Sequence, residues 1–214
     1  WLADRDSILD ADARAMTKTA ASVALLQSLR SLPRDAHLVD EGEAESREGA
    51  RVAADLVSLV DLVAGGISAA LPTPFREGEV DWPRLEALVD RQIEGGTDWL
   101  VPLGTTGETP TLTEDERAKI LETVIARAAG RCPVMAGTGS NCTTATVEHT
   151  KLAASMGVEA ALVVAPYYNR PTQEGLYRHY AAVAEAVDLP IVLYNVPART
   201  GVTISNDTIG RLRE

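Results

Sequence analysis

Five short apolar runs alternate with amphipathic stretches from Gly65 onward. The apolar runs occupy residues 66–71, 97–103, 133–137, 159–165 and 190–196. Apolar residues recur at helical spacing near 82–94, 114–129, 143–156, 173–187 and 206–213. Alternating strands and helices predict right-handed βα units on a parallel sheet, and continuous apolar strands indicate that helices cover the sheet.

Two of the predicted helices have specific boundary residues. Asp81 precedes the stretch that starts at Trp82, where its carboxylate can accept a hydrogen bond from a free backbone amide, and Gly95 suits the turn at the other end. Thr113 and Glu116 have the spacing of a capping box. Helices are therefore expected to begin directly after Asp81 and Thr113.

Residues 1–64 have a different texture. Their pattern predicts a helix, a short strand near 36–40, an acidic stretch and a second amphipathic helix. We recognise no motif there, and the chain starts with Trp1 instead of Met, which suggests a fragment, a processed product or an engineered chain. The sequence thus predicts an unassigned α/β extension at 1–64 and a βα region at 65–214.

Five βα units fit two architectures, an open doubly wound sheet or part of a (β/α)8 barrel. A dinucleotide-binding sheet normally has G-x-G-x-x-G after its first strand. Here the first strand leads into PTPFREG, and GTGSN after the third strand is not the full motif. This weakens the dinucleotide interpretation, but the periodicity alone does not separate the two folds.

Four of the predicted strands are followed by polar, glycine-containing or aromatic loops. They are GTTGE (104–108), GTGSN (137–141), PYYNRP (166–171) and YNVPARTG (194–201). In either architecture such loops share the carboxyl edge of the sheet, where binding sites lie. An adjacent tyrosine pair is a poor choice for a core, because a buried hydroxyl still needs a hydrogen-bond partner. The loops therefore predict a site for a small molecule.

Each loop also has a purely structural interpretation. The glycines of GTTGE suit a tight turn, with Thr105 and Thr106 capping backbone amides. The tyrosine pair suits amphipathic packing at a barrel rim, Arg199 suits solvent or a nearby carboxylate, and Asn195 suits a turn. The shared position of four such loops on one face favours the functional interpretation.

Composition narrows the class of function. The chain is 45% hydrophobic and 24% charged, as in an average soluble domain. Its net charge of −11, without a Lys/Arg cluster, argues against nucleic acids and anionic membranes as partners. No apolar stretch approaches the about 18 residues of a membrane span, and the first residues lack a signal-peptide pattern. We expect a cytoplasmic protein that acts on small molecules.

Cysteine and histidine positions predict no metal site. Cys132 and Cys142 have no metal-ligand spacing, so two reduced thiols are expected. His37, His149 and His179 are scattered along the chain, and we interpret them as surface histidines.

Five segments resemble one known family. GISAALPTPF, GTTGETPTLTEDE, AGTGSN, PYYNRPTQEGLYRHY and LYNVPARTG are similar to dihydrodipicolinate synthases, within the pyruvate-dependent class I aldolase superfamily that includes N-acetylneuraminate lyase. The resemblance spans about residues 65–214, and PYYNRP favours the synthases over the sialic-acid-cleaving relatives. It implies a (β/α)8 TIM barrel, here a partial barrel of about five βα units. It also implies condensation of pyruvate with aspartate semialdehyde in lysine and diaminopimelate biosynthesis.

The same resemblance implies roles for five residues. Tyr194 would relay protons near a lysine–pyruvate imine, and Thr105 would link it to Tyr168 of a neighbouring subunit. Thr106 would hold the pyruvate carboxylate, and Arg199 would bind the carboxylate of the aldehyde. The family uses this covalent imine with no metal or separate cofactor, and it forms homodimers or homotetramers.

The imine-forming lysine of the family would fall beyond Glu214. The chain contains only Lys18, Lys119 and Lys151, and none replaces it. We therefore expect this chain to be inactive alone. Two alternatives stay open: another pyruvate-dependent aldolase or lyase of the superfamily, and a non-catalytic fragment or designed partial barrel.

In family members that lysine inhibits, histidine and glutamate side chains line a cleft between subunits. Asn141 and Tyr167 match that pattern, and Tyr167 would lie near the cleft. Glu114, Arg117 and Ala145 stand where sensitive members have His, His and Glu. Loss of an acid and gain of a cation predict weak lysine binding.

Overall fold

The computed structural model describes residues 66–213. The predictions for residues 1–64 lie outside the described residues, as do those for Gly65 and Glu214. Seven strands are described: β1 (Ser68–Ala70), β2 (Phe75–Arg76), β3 (Glu79–Val80), β4 (Trp99–Val101), β5 (Met135–Gly137), β6 (Ala160–Val164) and β7 (Ile191–Tyr194). The α-helices are α1 (Trp82–Glu94), α2 (Glu114–Ala128), α3 (Thr143–Ser155), α4 (Gln173–Ala184), α5 (Pro197–Thr200) and α6 (Asn206–Arg213).

The five predicted strands pair in sequential order. β1 pairs in parallel with β4, and β5, β6 and β7 form a parallel ladder. A parallel bridge between Leu100 and Val134 joins the two sets, which gives the order β1-β4-β5-β6-β7. A doubly wound sheet reverses its strand order at a switch point. The unbroken order is that of a barrel wall, so the predicted partial (β/α)8 barrel is confirmed and the doubly wound alternative is wrong.

The sequence pattern missed a two-residue hairpin between β1 and α1. Phe75 pairs with Val80 and Arg76 with Glu79, in antiparallel fashion. The turn residues Glu77 and Gly78 both have positive φ, at 53° and 90°. Turns of this kind favour glycine. Two-residue strands are too short to produce a recognisable alternation.

Side chains of the strands alternate between two packed faces. Leu100 joins the cluster formed with α1 and α2, while its neighbours Trp99 and Val101 join Met135 and Val192 in a separate cluster. We call the face that carries this second cluster the inner face of the sheet. All three residues of β4 are buried, which explains the absence of a polar alternation in the sequence.

The predicted helix starts are confirmed. The Asp81 carboxylate accepts a hydrogen bond from the Arg84 amide at 3.2 Å, and Thr113 and Glu116 form both hydrogen bonds of the capping box. Gly95 ends α1 in a right-handed conformation, and the next residue, Gly96, has the left-handed φ of 80°. The left-handed conformation expected at the end of the helix thus occurs at Gly96, one position after the predicted Gly95.

The interpretation of His179 as a surface histidine is wrong. Its side chain is 4% exposed, Nδ1 lies 2.9 Å from the Thr143 hydroxyl, and the ring meets Tyr180 edge-on. Burial lowers the pKa of His179. Leu176, His179, Tyr180 and Val183 are the buried residues of α4. Their i, i+3, i+4, i+7 spacing places position 179 on the buried face of the helix.

Three properties of the described part of the chain concern membrane spans, metal sites and cysteines. None of its helices has the length and apolarity that a membrane crossing requires. Residues 66–213 contain no group of three His, Cys, Asp or Glu side chains placed to hold a metal ion. Cys132, which is buried, and Cys142, which is exposed, are free thiols as predicted.

Candidate active site

The four polar loops begin at the same edge of the sheet. Backbone hydrogen bonds continue between neighbouring strands to the point where each loop begins. They join Leu71 to Val101, Gly137 to Pro102, Thr138 to Leu162 and Ala165 to Tyr194, at 3.0, 2.9, 3.1 and 3.1 Å. Because the strands are parallel, these are all carboxyl ends.

Two glycines of GTGSN let this loop fit between its neighbours. A β-carbon on Gly137 would lie 2.2 Å from the carbonyl oxygen of Leu103. A β-carbon on Gly139 would lie 2.4 Å from the backbone nitrogen of Val164. Any side chain at either position would collide with backbone atoms. The GTGSN loop can therefore lie this close to the chain segments at Leu103 and Val164 only because both residues are glycine.

The GTTGE loop is stabilised by threonines other than those predicted. The Thr109 hydroxyl lies 2.7 and 3.0 Å from two carbonyl oxygens at the start of the loop, and the Thr73 hydroxyl donates to the Gly107 carbonyl at 2.8 Å. Thr105 and Thr106 are exposed, and their hydroxyls form no hydrogen bond with any described residue. The interpretation that they cap the turn is wrong for these side chains, which leaves their hydroxyls free for a ligand.

The tyrosine pair separates into two environments. Tyr167 is half-buried, whereas Tyr168 is 89% exposed and has a φ of 72°. The Asn169 side chain donates to the Asn141 carbonyl at 2.9 Å, which joins this loop to GTGSN. A left-handed tyrosine is sterically unfavourable. Rim packing therefore does not explain Tyr168, which projects into solvent.

Tyr194 lies at the carboxyl end of β7 and is 6% exposed. Side chains alternate along a strand, so Tyr194 shares the inner face with Val192. Its carbonyl accepts from the Ala165 amide, and its hydroxyl forms no hydrogen bond within residues 66–213. A buried phenol is thus presented at the carboxyl edge of the inner face.

The loop after Tyr194 is fixed by Asn195. Its side chain accepts from the Ile204 amide at 3.1 Å and donates to the Ile204 carbonyl at 3.4 Å. The expectation that Asn195 shapes its turn is therefore confirmed. The closed loop contains α5, which carries the exposed Arg199, and no ion pair joins Arg199 to another residue of the described part of the chain.

The structure thus places all five residues predicted for the site at one edge of the sheet, at a strand end or in the segments that follow the strands. Tyr194 is buried on the inner face, and the other four are exposed: Thr105, Thr106, Tyr168 and Arg199. Lys119 and Lys151 lie on the covering helices α2 and α3. Lys119 Nζ stacks 4.3 Å from the ring centroid of Trp82. Neither lysine belongs to the loops at the carboxyl edge.

A polar cleft lies between α2 and α3. This cleft of about 500 Å³ is lined in part by Glu114, Arg117, Ala145 and His149. Arg117 is held between Glu114 and His149, and burial lowers the pKa of its guanidinium. Three residues of the predicted regulatory pattern therefore do line one cleft. Sequence reasoning missed His149, which is only partly exposed.

Residues 63–214 match the model of the dihydrodipicolinate synthetase family. The chain belongs to this family. A 4-hydroxy-tetrahydrodipicolinate synthase of Phenylobacterium zucineum is 53% identical over 154 residues, which cover 72% of this chain and 52% of that protein. The chain spans about half the length of the curated relatives it matches.

Solved structures of the family agree with the partial-barrel fold. Dihydrodipicolinate synthase from Aquifex aeolicus matches with a TM-score of 0.68 at 52% identity, over 69% of this chain and 50% of that structure. The enzyme from Acinetobacter baumannii, solved as a complex with pyruvate, matches with a TM-score of 0.67 at 53% identity, over 69% of this chain and 51% of that structure. The predicted family is confirmed.

Proposed function

We propose that the chain acts as part of a 4-hydroxy-tetrahydrodipicolinate synthase, which forms a carbon–carbon bond between pyruvate and aspartate semialdehyde in lysine and diaminopimelate biosynthesis. The observation that carries the proposal is that Thr105, Thr106, Tyr194 and Arg199 lie at one edge of five consecutive parallel strands. The pyruvate complex of the A. baumannii relative supports the keto acid as one substrate.

The proposed chemistry needs a proton relay next to a covalent imine. A lysine amine condenses with the pyruvate ketone and releases water, and the imine then loses a methyl proton to give an enamine. The enamine carbon attacks the aldehyde carbon, and the aldehyde oxygen takes up a proton. The amine of aspartate semialdehyde then displaces the lysine from the imine carbon, which frees the lysine for another cycle. Tyr194 suits proton transfer because its ring is held at a buried strand end while its hydroxyl has no hydrogen-bond partner among residues 66–213. No metal or dissociable cofactor is part of this proposal.

Tyr168 suits a role in a second copy of the chain. A tyrosine that is 89% exposed on a left-handed backbone gains little in an isolated subunit. In a homodimer or homotetramer, the same ring would reach across the interface and extend the relay through Thr105. We therefore propose a homo-oligomeric enzyme of the cytoplasm.

Thr106 and Arg199 suit the two carboxylates of the substrates. The Thr106 hydroxyl is exposed in the GTTGE turn without a partner among residues 66–213 and can donate to the pyruvate carboxylate. Arg199 presents a planar guanidinium that can bind both oxygens of the aldehyde's carboxylate.

A chimera tests this proposal. Residues 65–214 replace the matching half of the P. zucineum synthase, and the condensation of pyruvate with aspartate semialdehyde is measured. We expect activity, because this chain would supply the relay and the relative would supply the remaining residues. Tyr194→Phe should lower kcat at least about tenfold, since positioned proton transfer contributes on the order of a hundredfold or more.

Tyr177→Phe is the matched control for the tyrosine substitution. Tyr177 lies on α4, where Arg211 stacks over its ring. Its substitution by phenylalanine should leave kcat unchanged. A chimera that melts cooperatively yet makes no product would contradict the proposal. Product formed only with a different aldehyde, in a panel of aldehydes, would instead favour another lyase of the superfamily.

A further inference from the structure

A second arginine lies beside the loop that carries Arg199. The guanidinium of Arg170 packs against Gly201: a β-carbon on Gly201 would lie 3.0 Å from its Nε and 3.6 Å from its Cζ and Nη2. Gly201 directly follows α5, the short helix that contains Arg199. The PYYNRP loop and the YNVPARTG loop therefore meet at Gly201, where the Arg170 guanidinium lies and from which Arg199 is two positions away along the chain.

The backbone at both ends of this contact is unusual. Arg170 has a φ of 48° and Gly201 a φ of 72°. A left-handed conformation is unfavourable for a residue with a side chain, and such residues cluster at functional sites. Because residue 201 is glycine, no side chain occupies the space next to the Arg170 guanidinium. The chain thus tolerates local strain to hold a cation at this place.

No carboxylate of residues 66–213 forms an ion pair with either arginine. Residues 160–173 and 189–206, which contain them, include no Asp or Glu, although the chain has 31 acidic residues against 20 Lys and Arg. Within residues 66–213, Arg170 and Arg199 form no ion pair, whereas Arg178 pairs with Glu174 at 2.8 Å. Two exposed cations on adjoining loops of an acidic protein create a local attraction for anions.

We propose that Arg170 is a further specificity-determining residue, which supplies a second guanidinium, in addition to that of Arg199, for the carboxylate of an anionic substrate. The proposal rests on the proposed function only in identifying that substrate as the aldehyde. Guanidinium groups bind carboxylates through paired hydrogen bonds, and a second guanidinium adds both charge and direction. A carboxylate held at Gly201 would lie at the same edge as the Tyr194 phenol.

Direct binding to the 214-residue chain tests the site without any catalysis. Succinate serves as the carboxylate probe and succinamide as its neutral analogue, with binding followed by NMR shifts of the amides of residues 166–171 and 195–201. We expect succinate to bind, succinamide not to bind, and Arg170→Ala to raise the Kd for succinate about tenfold. Arg170→Lys should recover only part of this loss, because an ammonium lacks the paired geometry.

Arg91→Ala is the matched control. Arg91 is an exposed arginine in the last turn of α1, outside the four loops, so its loss changes the net charge equally and should leave the Kd unchanged. Equal Kd values for Arg170→Ala and the unaltered chain, or no succinate binding by the unaltered chain, would overturn the proposal. Thermal melting of each variant checks that the fold is retained.

The chimera separates this inference from the proposed function. There, Arg170→Ala should raise KM for aspartate semialdehyde and leave KM for pyruvate unchanged. An inactive chimera together with Arg170-dependent succinate binding would contradict the synthase activity and support the carboxylate site. An active chimera in which Arg170→Ala changes neither KM would support the synthase activity and contradict the carboxylate site.

Discussion

The guanidinium of Arg117 donates a hydrogen bond of 3.0 Å to Nδ1 of His149. Arginine has no acceptor atom, so Nδ1 is unprotonated and the ring proton lies on Nε2. Nε2 in turn lies 3.1 Å from the Glu114 carboxylate. The three side chains thus form one connected set across the cleft between α2 and α3, and they use one another's polar atoms.

This arrangement predicts that free lysine binds weakly to the chain. A lysine ammonium needs carboxylates around it, but Glu114 is shared by Arg117 and His149, and Ala145 offers no acid, which leaves Glu148 as the other acid that lines the cleft. Arg117 also adds a like charge to the cleft. In calorimetric titration of the chain with lysine, we expect a Kd weaker than about 1 mM.

A double variant provides the comparison for the lysine titration. Arg117→His together with Ala145→Glu removes the cation and adds an acid, and it should tighten lysine binding at least about tenfold, or about 1.4 kcal/mol. Micromolar lysine binding by the unaltered chain would show that the three-residue set does not exclude an ammonium ligand.

The order of the elements was predictable because its determinants are local in sequence. Asp81 and Thr113 cap helices through residues three positions away, so their function is visible in the sequence. The choice between a barrel and a doubly wound sheet was not predictable from periodicity. It depends on the contact between Leu100 and Val134, which joins two strands that the pattern only places in succession.

The details of the site depend on neighbours distant in sequence. GTTGE was recognisable as a loop, but the hydroxyl that stabilises Gly107 comes from Thr73, 34 positions earlier. The exposure of Tyr168 and the contact between Arg170 and Gly201 likewise follow from how loops meet in space. His179 is different, because the helical spacing of its neighbours already indicated burial.

Gly137→Ala should destabilise the fold by about 3 kcal/mol. The new β-carbon would lie 2.2 Å from the Leu103 carbonyl oxygen and 2.7 Å from the Gly104 nitrogen, and backbone atoms yield less readily than side chains. Urea denaturation measures the change. Gly210→Ala is the control: it lies in α6 with nothing within 4 Å of the added carbon, so it should be neutral or stabilising by up to about 1 kcal/mol. Equal stabilities of the two variants would show that the loops separate without cost.

The buried His179 predicts that acid destabilises the fold. In the unfolded chain this imidazole titrates near its ordinary pKa of 6.5, whereas burial lowers the pKa in the folded chain. Above pH 6.5 both states are neutral at this site. As the pH falls below that value, the unfolded state takes up a proton that the folded state does not, so the free energy of unfolding decreases. The slope from this single group is at most about 1.4 kcal/mol per pH unit.

His179→Gln tests this assignment, because glutamine keeps polar atoms near the Thr143 hydroxyl but does not titrate. Denaturation of both proteins between about pH 5 and 8 should show a flatter acid limb in the variant and parallel curves above about pH 7. Identical acid limbs would assign the loss of stability to other groups.

The two described lysines, Lys119 and Lys151, are predicted to form no stable adduct with pyruvate. An amine must reach the ketone to attack it, but Lys119 lies on the covering helix α2 with its Nζ 4.3 Å from the ring centroid of Trp82. Lys151 is exposed on α3, outside the four loops that contain Thr105 and Tyr194. After incubation with pyruvate and borohydride, peptide mapping should find Lys119 and Lys151 unmodified, whereas the chimera should gain one pyruvyl group. A stoichiometric adduct mapped by peptide sequencing to Lys119 or Lys151 would show that a lysine of a covering helix reaches the carboxyl edge.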